Sequence, residues 1–341
     1  MTSVESAIPA HLRADRTRPT RKSAAFRPPY PSFSARFAPS VRQVVMAYFG
    51  VQHASETPPP VAEKALARLA GAAGSAHRER ARYVDEAGYH TTVEIRYWTD
   101  PAEFSAWLAD HDFWTAGPAS PDAGFFLEVV QPTVRRFETL FSNDRREGIG
   151  VAAAGLSGEI QEHGYWGGAR DRLPLAQTDP LDAAGTVSAG FSGDLVTVVP
   201  NGNLCLIRSG QEWTETDGDE RRMYLAEVEP VLRAGMDFLR DDGRSVGCYA
   251  NRYLRVLAED GGETDKTFGL SWWRSLEDLE TWAESHPTHV AIFRAALKYL
   301  STMGPAARLR LYHEVTVAEQ GQTRFEYLGC HPGTGLLRAV A

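Results

Sequence analysis

The chain has 341 residues, of which 43% are hydrophobic and 23% charged, with a formal net charge of −8. This is ordinary globular composition, enough for a large core in one large or two smaller domains. No basic patch with interleaved aromatics offers itself to a nucleic acid, and no apolar run approaches the length of a membrane span, so neither partner is expected.

Residues 1–42 are rich in Arg, Pro and Ser and lack the apolar core of a secretory signal. Glu5 and Asp15 argue against a transit peptide. The prolines at 28, 29 and 31 exclude helix interior, because each removes a donor and fixes φ. An extended arm over the domain or over a neighbouring subunit is expected here, with a disordered tail as the alternative.

Residues 43–52 read as a strand: β-branched, aromatic and apolar, closed by polar residues. Three prolines at 58–60 punctuate, and 61–72 reads as an Ala-rich helix. Residues 83–87 and 91–98 read as strands around a turn at Gly88. Asp100 caps the next helix, with Pro101 at a position where the missing N–H costs nothing. Residues 127–137 suggest another helix and 138–142 a strand. The same order then returns. Residues 204–209 read as strand and 219–239 as a long amphipathic helix. Strands over 246–257 and 267–273 flank Gly261 and Gly262. Ser275 caps a helix to at least Trp282, 288–300 is helical, and 309–317 is a closing strand.

A local pattern joins the two halves. Residues 97–107 line up with 272–282, with a Trp, a cap, an apolar residue and a second Trp at matching offsets. Shared capping physics makes such junctions alike, but the order of six elements around them favours duplication. The fold expected is α+β. Two ferredoxin-like βαββαβ repeats, over 43–142 and 204–341, would pack as a dimeric α+β barrel-like core within one chain. Residues 143–203 fit neither repeat. Their Gly- and aromatic-rich stretch over 155–174, with Arg170 and Arg172, reads as a functional inter-repeat segment contributing to a pocket, or as a plain linker.

The halves differ where chemistry could live. Seven residues after Trp107 stands Trp114; seven after Trp282 stands His289. Only the second half therefore offers a ligand there, opening the apolar run Val290 to Phe293. Most histidines beside apolar residues are satisfied core or surface groups, so position alone does not make His289 a ligand. The spacing His286-Pro-Thr-His289 does not suit chelation by both rings, because the Pro breaks the helix face they would share. There is no GxGxxG after a strand, no Walker loop, no GxSxG and no HExxH. The three cysteines, Cys205, Cys248 and Cys330, form no CxxC pair, zinc pattern or disulfide framework, so a reducing, cytoplasmic compartment is expected. One His with no Cys ligand and no carboxylate cluster points to haem in the C-terminal half, not to zinc or non-haem iron. His313, Arg172, Ser209 and Glu138 are then the polar candidates across the pocket.

Six runs carry a resemblance. They are Ser157-Gly-Glu-Ile-Gln-Glu-His-Gly-Tyr-Trp-Gly, Leu206-Ile-Arg-Ser-Gly-Gln-Glu-Trp, Ala234-Gly-Met-Asp-Phe-Leu-Arg, Glu284-Ser-His-Pro-Thr-His, Leu309-Arg-Leu-Tyr-His-Glu-Val and Cys330-His-Pro-Gly-Thr-Gly. From about residue 43 to the C-terminus the chain resembles the haem-dependent aldoxime dehydratases. The resemblance implies a lyase that dehydrates R–CH=N–OH to a nitrile at a ferrous haem b, with the oxime nitrogen bound. It implies His289 as the proximal iron ligand and His313 as the distal acid–base group. It implies Ser209 on the substrate oxygen, Arg172 as the distal arginine with Arg170 as the fallback, and Glu138 as the distal glutamate. A homodimer is implied too. Two other readings stay open: a haem peroxidase or chlorite-dismutase-like oxidoreductase, and a non-catalytic haem sensor or carrier.

Overall fold

The structure is a computed structural model that describes residues 4–340 apart from 112 and 118. The arm up to residue 42 carries a 3-10 turn (Ala10–Leu12) and the two-residue strand β1 (Ala35–Arg36). The first half then runs β2 (Val45–His53), α1 (Pro60–Ala70), β3 (His77–Val84), β4 (His90–Trp98), α2 (Pro101–Asp110), α3 (Phe113–Ala116), β5 (Gly124–Val130) and β6 (Phe137–Phe141). Between the halves lie β7 (Gly155–Leu156), α4 (Gly168–Arg172) and the hairpin β8 (Ser188–Ser192) and β9 (Leu195–Val199). The second half runs β10 (Leu204–Glu212), α5 (Gly218–Met223), α6 (Glu229–Asp241), β11 (Cys248–Leu257), β12 (Glu263–Trp273), α7 (Leu276–Ser285), α8 (Pro287–Met303), β13 (Arg310–Ala318) and β14 (Thr323–Leu328).

The paired junctions do the same work in both halves. Asp100 caps α2 by accepting from the Ala102 amide at 2.8 Å, with Pro101 as the first helical residue. Ser275 caps α7 by accepting from the Asp278 amide at 3.0 Å. Trp98 then packs on Trp107 with ring centroids 5.2 Å apart, and Trp273 on Trp282 at 5.5 Å.

Twelve strands form one sheet in the order β6-β13-β10-β12-β11-β3-β4-β2-β5-β14-β9-β8. Within it, β13-β10-β12-β11 and β5-β2-β4-β3 repeat one succession, and β11 and β3 join them through three residue pairs, Arg255 to Leu257 against Arg82 to Arg80. The sheet folds back on itself. Tyr97 of β4 donates to Glu314 of β13 at 3.2 Å, and Arg252 of β11 grips Glu128 of β5 with two bonds of 2.6 Å. The inner faces so enclose a core that includes Tyr48, Ile95, Leu206, Leu254, Phe268 and Trp272. On the outer face, α1 and α2 cover Phe49 and Trp98, and α6 and α7 cover Cys205, Trp273 and Val317. Among the described residues, no helix is long and apolar enough to cross a membrane.

Three element readings are corrected. Residues 127–137 are not a helix: the run from Gly124 to Val130 is buried at every position, and β5 sits between β2 and β14. A strand buried on both faces carries no period of two, so its apolar run imitates a buried helix. The fourth strand of the first half is therefore β5, and β6 crosses over to pair with β13. The helix expected over 219–239 is broken into α5, a π-helical turn over Tyr224–Val228, and α6. Pro230 lacks the amide that would have continued the helical ladder there, and the backbone widens to accommodate it. Residues 323–328, unassigned from sequence, form β14 against β5 and β9.

Candidate active site

Residues directly opposite in an antiparallel pair share a face of the sheet. The register places Leu140 of β6 opposite His313 of β13, His313 opposite Ser209 of β10, Ser209 opposite Gly269 of β12, and Gly269 opposite Tyr253 of β11. One row across five strands thus carries His313 and Ser209 side by side on the helix-covered face. The next row sets Glu138 opposite Val315 and Val315 opposite Ile207. Glu138 therefore lies on the same face as His313, one step along.

Arg172 closes the cluster from above, at the end of α4. Its Nε donates to Glu138 Oε2 at 2.6 Å, its Nη2 to Glu138 Oε1 at 3.1 Å, and its Nη1 to the Glu162 carbonyl at 2.6 Å. This is the two-pronged match of guanidinium to carboxylate. The same Nη2 stands 2.7 Å from His313 Nε2, and Glu138 Oε1 stands 3.1 Å from that nitrogen. The Arg172 and Glu138 side chains are 3% and 1% exposed, against 24% for His313. The ion pair is sealed, and the imidazole reaches out of it. Burial pushes the Glu138 carboxyl up, but the charges and hydrogen bonds of Arg172 and His313 outweigh it and hold the group below the usual carboxylate range.

This arrangement accepts two protonation states of His313. A neutral ring takes a hydrogen bond at Nε2 from Arg172; a ring protonated there gives one to Glu138. Either way Nε2 is engaged, and Nδ1 is the nitrogen left for a substrate. Ser209, beside it in the row, has a hydroxyl with no hydrogen-bond partner among the described residues.

His289 lies on α8, three residues into the helix. His286 precedes it as the cap, its Nδ1 accepting from the Thr288 amide. The His289 Nδ1 lies 2.8 Å from the Ala283 carbonyl, one of the last-turn carbonyls of α7 that lack a partner within their own helix. That bond puts the proton on Nδ1 and leaves Nε2 with a bare lone pair. Burial pulls its pKa down to about 4, against the opposing pull of the carbonyl, so the ring is neutral near pH 7. Trp282 packs against it at 4.6 Å and Trp166 at 5.5 Å. The face of α8 that continues from His289 holds Ile292, Phe293 and Ala296. None of these is fully buried, and Tyr299 is the one buried residue among the 17 of this helix. A neutral, oriented imidazole on a half-covered apolar helix face fits a flat apolar macrocycle ligated by one His. Among the described residues no three His, Cys, Asp or Glu side chains converge as a metal site.

One segment reaches both histidines. Trp166 packs on His289 and on Phe293, at 4.5 Å, while Arg172 holds His313. The two arginines of this segment have different partners. Arg170 turns the other way, its Nε and Nη2 donating to Glu280 of α7 at 2.9 and 2.7 Å. Sequence reasoning missed Trp166, Glu280, Ala283 and Asp171 as supports; the Gly- and aromatic-rich character of 155–174 could have pointed to Trp166 and Asp171, whereas nothing local marks Glu280 or Ala283 on α7. A cleft of about 580 Å³ lies elsewhere, where β3 and β11 part beside α6. Its arginines are spoken for, Arg252 by Glu128 and Arg82 by Glu263 among them, and it touches neither His289 nor His313.

One neutral imidazole on a half-covered apolar helix face, with a separate cluster of Arg172, Glu138 and His313, suits a haem enzyme. The model of the haem-containing dehydratase family matches residues 47–336. The aliphatic aldoxime dehydratase of Rhodococcus globerulus is 40% identical over 98% of both chains. The phenylacetaldoxime dehydratase of Bacillus sp. (strain OxB-1) is 30% identical over 90% of both. The crystal structure of an aldoxime dehydratase in complex with butyraldoxime superposes with a TM-score of 0.94 at 39% identity, covering 98% of this chain and 96% of that one. The chain belongs to the haem-containing dehydratase family.

Proposed function

We propose that this enzyme is an aldoxime dehydratase, a lyase that converts R–CH=N–OH to R–C≡N and water at a ferrous haem b held by His289. The carrying observation is the engagement of His313 Nε2 by both Arg172 and Glu138, which gives each protonation state of the ring a partner. Ferrous haem, when bound, supplies a position for the oxime nitrogen and electron density to weaken N–O. The residues do the rest. Ser209 orients the oxime hydroxyl by hydrogen bonding. His313 gives a proton to the departing hydroxyl, which leaves as water, and takes back the proton from the oxime carbon. The ring ends as it began, so no net proton or electron is exchanged. Glu138 accepts from Nε2–H both in the imidazolium and in the neutral ring left when Nδ1 gives up its proton, and Arg172 fixes the Glu138 carboxylate, so the ring keeps one orientation through the cycle.

The matching strand orders and Trp pairs support reading the fold as two ferredoxin-like repeats, with 143–203 as the segment that closes the pocket. The free thiols of Cys205, Cys248 and Cys330 support a reducing, cytoplasmic setting. We read the assembly as a homodimer.

The test is nitrile formation by haem-loaded protein, ferrous and ferric, from butyraldoxime and from phenylacetaldoxime. Nitrile from at least one aldoxime, much faster in the ferrous state, is expected. No nitrile from either, or equal rates in both states, overturns the proposal.

A further inference from the structure

The N-terminal arm is bound to the segment that carries Arg172 along most of its length. Glu5 pairs with Ile160 as a β-bridge, and the Gln161 Nε2 donates to the Ala24 carbonyl at 2.9 Å. Buried Gln177 accepts from the Ala14 amide at 3.0 Å and returns a bond from Nε2 to the Leu12 carbonyl at 3.0 Å. Behind the Arg172–Glu138 pair lies a cavity of about 40 Å³, closed on the arm side by Ala7, Pro9, His11 and Leu12. That is room for roughly one or two waters and not for a substrate, and the arm lines one side of it.

The tightest link runs through Asp171. The three residues 170–172 point three ways: Arg170 to α7, Arg172 to His313, and Asp171 to the arm. The Asp171 side chain is buried, accepting from the Arg21 amide at 3.0 Å and from the Tyr165 hydroxyl at 2.8 Å. Its carbonyl accepts from Arg16 Nη2 at 3.1 Å. Gly167, with φ of +85°, lets the arm approach, since a Cβ there would lie 2.8 Å from Arg21 Cγ. With Asp171 anchored, the short α4 turn has one orientation, and the neighbouring Arg172 is aimed at Glu138 and His313.

We propose that Asp171 is a positioning residue that holds Arg172 against His313 by anchoring α4 to the N-terminal arm. This rests on the aldoxime dehydratase reading for its kinetic consequence, but its anchoring is tested without turnover. The experiment compares full-length, haem-loaded Asp171→Ala, which removes the one carboxylate oxygen that accepts from both Arg21 and Tyr165, and Gly167→Ala with wild type. Amide exchange over 161–177, haem absorbance, kcat and KM separately, and the pH–rate profile are measured. Gly167→Ala disturbs the same contact from the α4 side, where Arg21 lies over the backbone, so it stands in if Asp171→Ala fails to fold.

Faster exchange over 161–177 is expected in both variants, with haem absorbance retained. A fall in kcat of about tenfold or more is expected, since an ångström of misplacement is costly, with KM little changed and the pH dependence of kcat altered. Unchanged exchange overturns the anchoring. Faster exchange with wild-type kcat and pH profile overturns the positioning role and leaves a purely structural strap. A wild type that makes no nitrile defeats the functional reading instead, while the exchange comparison still decides the anchor.

Discussion

Replacing Glu138 by Gln is the most informative single change to the acid–base cluster. It keeps the volume and removes the charge. The carboxylate holds Arg172 by two bonds, at 2.6 and 3.1 Å, in a place where both side chains are almost wholly buried. Taking one partner from a buried ion pair costs about 3–5 kcal/mol, because the other charge stays behind. The Glu162 carbonyl still accepts from Arg172, which places the expected loss at the lower end. The same carboxylate lies 3.1 Å from His313 Nε2. At an effective dielectric of about 20, that contact is worth at most about 5 kcal/mol to an imidazolium. Without it, Nε2–H loses its acceptor and Arg172 is the one charged group left against that nitrogen. The assay is nitrile formation from butyraldoxime by the ferrous enzyme across pH, alongside haem absorbance and Tm. Turnover near pH 7 is expected to fall by about 10²–10⁴-fold, the usual contribution of a positioned acid–base group. The deficit shrinks toward lower pH, where protons in solution compensate for the missing anion. Haem absorbance is retained and Tm falls. Wild-type turnover, or a deficit equal at every pH, would refute the role given to the Glu138–His313 contact.

Two further changes probe the frame that holds the site. Glu314 is buried behind His313 in the sheet interior, where it accepts from the Ile149 amide at 2.7 Å and from Tyr97 at 3.2 Å. Burial, only partly opposed by Arg208, raises its pKa to about 7. A carboxyl raised in the fold holds its proton better folded than unfolded, so the Glu314 contribution to stability is fully present below about pH 4.5 and is lost as pH rises through 7. Glu314→Gln removes that decline, worth up to about 3 kcal/mol, and its Tm should gain on wild type between pH 5 and 8; parallel Tm curves would contradict this. Gly210 lets the Tyr312 ring cross from β13, since a Cβ there would lie 2.0 Å from it, one residue from Ser209. Gly210→Ala overpacks that row at about 1–3 kcal/mol, with lower Tm and lower turnover, and an unchanged Tm would show that the strands give way freely.

The sequence was most legible where structure is local. Caps at Asp100 and Ser275 and the Trp pairs that follow them are set within a dozen residues, and the structure has them as read. His289 stood out because an apolar helical run follows it. His313, Ser209 and Glu138 were nameable one by one, but what makes them a cluster is strand register, which pairs positions far apart in the chain. The sequence put Arg172 ahead of Arg170 by resemblance alone, and the partners of each were closed to it for a related reason. Two residues apart on one short helix, they differ only in what lies opposite, Glu138 and His313 for one and Glu280 for the other. Strand β5 was misread because burial on both faces erases alternation, and β14 was missed because it is short and paired across the halves. The grip of the arm on Asp171 spans about 150 residues and leaves no local trace.

The account stands or falls on the imidazole of α8. His289→Gly should leave the folded, haem-supplied protein without the Soret absorbance of stoichiometric haem, and added free imidazole should restore both the absorbance and nitrile formation. Full absorbance in the variant without imidazole would contradict the assignment of His289 as the haem ligand.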